Sequence, residues 1–166
     1  MIQKTFILKN KHMKTLFLVL LAFMSFSSWS QETAAGRQKH FNTFKNHLAI
    51  QGYDPVAYFT EGKGVKGSGN YRAEVNGIIY HFSTEANRDL FEKNPSKYEP
   101  QYGGWCAYAM GEDGDKVAIN PSTFKIVNGK LYLFYNKGGE NTRVYWNENQ
   151  DEQIKTANAN WKKIVG

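Results

Sequence analysis

Two Asn-Gly pairs, Asn76-Gly77 and Asn128-Gly129, restrict this chain more than any other feature. The first is flanked by Tyr71 to Val75 and Ile78 to Phe82, the second by Phe124 to Val127 and Lys130 to Tyr135, runs rich in β-branched and aromatic residues. Asn-Gly tolerates the positive backbone angles of a type I′ turn, whose twist matches that of paired strands. The chain is therefore expected to form two antiparallel hairpins.

Helical signals fill the intervals. Phe41, Phe44 and Leu48 fall at helical spacing and predict an amphipathic N-terminal helix within residues 37–48. Asp54-Pro55 reads as a helix start, because the carboxylate accepts orphan amide hydrogens and a proline in the first turn sacrifices no hydrogen bond. That helix must be short, since Gly62, Gly64, Gly67 and Gly69 mark a loop. Ser83 is expected to cap a helix with Glu85 in its first turn and Leu90 and Phe91 on its buried side, ended by Asn94-Pro95. A further helical turn is expected through Gly104 to Met110. Residues 151–165 form a closing helix, with Ile154, Ala157, Trp161 and Ile164 along one face. Helix, hairpin, helix, hairpin, helix is the order of a small α+β domain in which helices pack on short antiparallel hairpins.

The first thirty residues read as a cleaved secretory signal. Lys4, Lys9, Lys11 and Lys14 make a basic start and Leu16 to Phe26 an apolar run, too short for the roughly twenty residues a bilayer span needs. Ser28 and Ser30 then place small residues before a cut ahead of Gln31. An uncleaved anchor is the alternative, and a lipoprotein anchor has no cysteine near the cut. The expected division is a signal over 1–30, a lead-in and helix over 31–47, and the domain proper over 48–166, exported to a periplasmic or extracellular space without stable membrane insertion. Cleavage removes four lysines and no acid, so the formal charge of +6 falls to +2. The high pI is thus a property of the leader. No basic cluster remains to suggest nucleic acid as a partner.

Cys106 is the only cysteine, so thiol chemistry must begin there. Two readings stand. If Gly103-Gly104 leads into a helix, the thiol lies in its first turn, where unpaired amides favour thiolate. Otherwise it is a small buried hydrophobe among Trp105, Tyr108 and Met110.

Residues 52–59 (Gly-Tyr-Asp-Pro-Val-Ala-Tyr-Phe), 77–83 (Gly-Ile-Ile-Tyr-His-Phe-Ser) and 91–98 (Phe-Glu-Lys-Asn-Pro-Ser-Lys-Tyr) together resemble a YHS domain. Residues 101–107 and 129–133 are similar to the exported single-domain branch of that family, and the likeness runs over residues 48–165. The resemblance implies the fold of a small α+β module. Members with assigned roles occur in copper-transporting ATPases and other metal-handling proteins, which implies a metal, copper or zinc, or a small ligand as partner. Those relatives carry a cysteine after Asp-Pro-Val and two more around the segment that opens the following helix. By motif these positions are Ala57, Ser83 and Asn87 here, so the soft donors that copper(I) or zinc requires are replaced.

Other residues are candidates to rebuild a site. His40 and His47 are seven apart, on one side of the expected helix but too distant to chelate one ion alone. His81, on a strand between Tyr80 and Phe82, is either a ligand beside Cys106 or a structural histidine. Tyr53 and Asp54 read as a polar ligand site or as a core aromatic and a helix cap. Tyr102 and Trp105 read as a stacking surface or as core. The chain has neither a phosphate-binding Gly-x-x-x-x-Gly-Lys loop nor a Gly-x-Ser-x-Gly elbow, and no spacing places a base beside Cys106. The expectation is an exported binding module rather than an enzyme, holding a metal or small ligand near His81 and Cys106. The alternatives are a thiol redox protein acting through Cys106 and a purely structural, partner-binding domain.

Overall fold

Left-handed backbone is present at both Asn-Gly turns, with φ of 47° and 78° at Asn76 and Gly77 and of 51° and 72° at Asn128 and Gly129. The computed structural model describes residues 33–166, so the expected signal, residues 1–30, lies outside the described residues. In chain order these form α1 (Ala34–His40), β1 (Thr43–Phe44), β2 (Leu48–Ala49), α2 (Ala57–Thr60), β3 (Ser68–Val75), β4 (Ile78–Phe82), α3 (Glu85–Lys93) and α4 (Pro95–Tyr98). There follow α5 (Ala107–Glu112), β5 (Asn120–Val127), β6 (Lys130–Phe134), β7 (Asn136–Lys137), β8 (Glu140–Asn141), α6 (Thr142–Glu148) and α7 (Gln150–Val165). The architecture is α+β, and Thr33–Gly166 is one unit. No helix among the described residues is long and apolar enough to cross a membrane.

The first hairpin belongs to a four-stranded sheet of order β1-β2-β4-β3, in which β2 runs parallel to β4 through Leu48 and Ile79. The second, β5 with β6, stands apart from it as a two-stranded sheet. In β6, Leu131 and Leu133 join a buried cluster with Tyr80, Phe82, Phe91 and Cys106. Tyr132 and Phe134 join another with Met110, Trp146 and Ala157. A strand sends alternate side chains to opposite faces, so β6 is the shared wall of the two clusters. Full burial of a side chain such as Phe91 contributes about 1.5–3 kcal/mol.

Several sequence expectations shift in detail. The N-terminal helix stops at His40, and Phe41, Phe44 and Leu48 are not on it. Phe44 instead pairs with Leu48 and Thr43 with Ala49, across a tight turn in which Asn46 and His47 have φ of 58° and 60°. Asn and Thr are weak helix formers, and a tight hairpin brings residues four apart together much as a helix does. His40 and His47 therefore share no helix face. Thr84, not Ser83, caps α3 by accepting the Asn87 amide at 3.1 Å, and Leu90 is exposed while Phe91 is buried. The helix expected from Gly104 starts at Ala107, because Tyr102, Gly103 and Gly104 hold φ of 56°, 59° and 83°.

Candidate functional site

Cys106 stands at the cap of α5 rather than in its first turn, fixed by a strand-like bridge to Leu133 and by its amide donating to the Val117 carbonyl at 3.0 Å. The residue is fully buried. Its sulfur accepts the Tyr135 amide hydrogen at 3.3 Å and lies 3.3 Å from Thr142 Oγ1. Thr142 donates its hydroxyl to the Tyr135 carbonyl at 3.1 Å, which leaves Cys106 to donate its S–H to the threonine oxygen. The thiol is thus held in a closed ring of three residues.

That ring lies under a recess of about 390 Å³, whose wall includes Tyr108 and Tyr135 and whose acids are Glu112, Asp113, Asp115 and Glu140. No Lys, Arg or His is among its described lining residues. The Tyr108 hydroxyl on its wall is pushed up from its ordinary pKa by burial first and then by Glu112.

His81 occupies different surroundings. It is half-buried on β4, opposite Arg72 of β3. Directly opposed residues share one face of an antiparallel pair. Gly52, with φ of 79°, lies close to the imidazole: a Cβ there would stand 3.3 Å from the Leu48 side chain, 3.6 Å from His81 Nδ1 and 3.6 Å from Lys66 Nζ. Lys66 donates to the Gln51 carbonyl and lies 4.9 Å from the centre of the Tyr53 ring. Burial, then Arg72, then Lys66 hold the imidazole below its ordinary pKa. Cys106 and His81, expected to share a copper or zinc ion, have no common polar partner. Among the described residues no group of three or more His, Cys, Asp and Glu is placed to hold a metal ion.

Asp54 is a buried hub. Its Oδ1 accepts the amides of Val56 and Ala57 at 2.8 and 3.2 Å, capping the turn that leads into α2. Its Oδ2 accepts the Ser83 amide at 2.8 Å, the Ser83 hydroxyl at 2.7 Å and Asn87 Nδ2 at 2.8 Å. Tyr102 is buried and donates to Asn158 Oδ1 at 3.2 Å, and its hydroxyl is pushed well above its ordinary pKa by burial. Trp105 donates from Nε1 to the His40 carbonyl at 2.7 Å. These bonds make Tyr102 and Trp105 ties between segments.

Lys66, Arg72, Asp115, Glu140 and Thr142 were not singled out by sequence reasoning. A signal for Arg72 existed, since a two-residue Asn-Gly turn pairs Val75 with Ile78 and so sets Arg72 opposite His81. Thr142 and Glu140 had none, because only the fold carries them to the thiol. In comparisons with known proteins, no family model, no curated protein and no solved structure matches the chain.

Proposed function

We propose that the chain is an exported, non-catalytic module of the YHS type that binds a small organic cation in the recess over Cys106. One observation carries the ligand assignment: four carboxylates and two tyrosines gather around that recess with no basic side chain in its described lining. Carboxylates in a cleft raise the local concentration of cations, and tyrosine ring faces attract them. A volume of about 390 Å³ suits a small molecule rather than a bare ion. The acids are spread around the recess instead of converging, which favours an amine with several N–H groups over copper or zinc.

Binding is favoured over catalysis because a cysteine nucleophile needs a base beside it, and the polar partners of Cys106 are a threonine hydroxyl and a backbone amide. The closed hydrogen bonding of the sulfur supports a wall of the site rather than a redox group. The YHS reading is supported by Asp54. Ala57, Ser83 and Asn87, the positions at which the resemblance places three thiolates, are separated in sequence yet all donate to this one carboxylate. Where those relatives would gather sulfur, this chain gathers hydrogen bonds.

Calorimetric and NMR titration of residues 31–166 with spermidine tests the reading. Saturable binding at about 1 mM or tighter is expected, with shifts at the Tyr135 and Thr142 amides, weakening in salt and in the paired Asp115→Asn, Glu140→Gln variant. A linear, unsaturable response, or equal affinity in the double variant, would remove the cation site.

A further inference from the structure

β3 ends the four-stranded sheet, and among the described residues no backbone hydrogen bond or bridge is made on the outer side of Arg72 to Val75. The other strand edges are closed or short. Pro100 and Cys106 bridge to Leu131 and Leu133 along the free side of β6. Along β5, Arg143 donates to the Phe124 carbonyl at 3.1 Å, and Lys125 Nζ donates to Asn147 Oδ1 and Gln150 Oε1 at 2.8 and 2.6 Å. β1, at the far end of the four-stranded sheet, has two residues. An open edge invites another strand, so folds shorten it, cover it or charge it.

The direction of each backbone group on β3 follows from its turn. Val75 and Ile78 flank the two-residue turn and exchange both of their backbone hydrogen bonds; by alternation Ala73 bonds Tyr80, and the amides and carbonyls of Arg72 and Glu74 point outward. The ladder with β4 shifts register between Ser68 and Arg72, which confines the regular edge to Arg72 through Val75. The Arg72 and Glu74 side chains share one face, both are exposed, and neither makes an ion pair among the described residues. Ala73 is buried on the other face.

Opposite charges two places apart make this edge complementary to itself. An antiparallel copy centred on Ala73 sets Arg72 opposite Glu74 of the second copy and Glu74 opposite its Arg72, with outward backbone groups meeting outward backbone groups. Copies centred on Arg72 or on Glu74 would set like charges opposite each other. We infer that β3 pairs with β3 of a second copy in the register centred on Ala73, joining the two four-stranded sheets edge to edge about a two-fold axis. The regular edge is short, so the dimer is weak. It uses no residue of the recess over Cys106, so either assignment can fail without the other.

Sedimentation equilibrium of residues 31–166 in low salt is the direct experiment. A monomer–dimer Kd of about 1 mM or tighter is expected for a contact below the standard interface size. Arg72→Glu and Glu74→Arg, each at an exposed side chain, should each weaken the dimer about 10-fold, because each turns both attractions across the axis into repulsions. An equimolar mixture of the two variants should associate as the unaltered chain does, since every charge across the axis then faces its opposite. The double variant Arg72→Glu, Glu74→Arg should do the same. Amide exchange followed by NMR should slow at Arg72 and Glu74 as concentration rises and change little at Ala73, which already bonds Tyr80. A chain still monomeric at about 1 mM, a dimer with unchanged exchange at Arg72 and Glu74, or single variants that either dimerise undiminished or stay apart when mixed, would overturn the inference.

Discussion

The recess over Cys106 and the face around His81 hold the two side chains best suited to bind a soft metal, and the fold gives them opposite electrostatic settings. Around the sulfur stand Glu112, Asp113, Asp115 and Glu140, and around the imidazole stand Lys66 and Arg72. A formal charge of +6, carried in large part by four lysines within residues 1–30, conveys none of this. Acids and bases that alternate along the sequence are sorted by the fold into separate neighbourhoods. What each side can attract follows from that sorting more than from the presence of a thiol or an imidazole.

The comparison breaks most severely if the hub between the segments is removed. Asp54→Ala leaves the Ser83 hydroxyl and the Val56, Ala57 and Ser83 amides without their carboxylate acceptor, and Asn87 Nδ2 with only Ser83 Oγ at 3.3 Å. At about 1–3 kcal/mol for each buried donor left unpaired, a loss of about 3–5 kcal/mol is expected in urea unfolding. A loss below about 1 kcal/mol would mean that the network is not structural.

A smaller effect is expected at Gly52, where φ is 79° and a Cβ would stand 3.3 Å from the Leu48 side chain. Gly52→Ala should cost about 1–2 kcal/mol, the penalty for an alanine in left-handed backbone. It should leave spermidine binding at the recess over Cys106 unchanged, and loss of that binding would show that the two sides are not independent.

The smallest effect is in the pH dependence of stability. His81 binds its proton less readily in the folded chain than at its ordinary pKa of 6.5. Between that value and the lower folded one the unfolded chain binds more protons, so the contribution of His81 to stability rises with pH through this window and is level above it. Arg72, Lys66 and Glu74 are the charged groups to consider on this face. Comparing urea midpoints with those of His81→Gln isolates the contribution, and Arg72→Gln should shrink it. A contribution that falls with rising pH would reverse the assignment of a cationic face.

Much of the fold was legible because local rules governed it. The Asn-Gly turns, the Asp54 cap and the closing helix with Ala157 inward each depend on neighbours in sequence. The N-terminal helix was misjudged where Phe44 and Leu48 pair across a tight turn at the same spacing that a helix would use. The short helix α6 had no clear pattern, since Val144 and Tyr145 are exposed beside a buried Trp146. The candidate sites were less legible than the elements. Tyr53, Asp54, Tyr102, Trp105, Cys106 and His81 were all visible as residues, but Lys66 reaches Gly52 only through folding of the loop, and Thr142 reaches Cys106 from far along the chain.

β6 has one further consequence. Because Leu131 and Leu133 serve one interior while Tyr132 and Phe134 serve the other, neither interior is closed without this strand. Excising either half would expose an apolar strand surface to water, so residues 33–166 are expected to unfold in one cooperative transition.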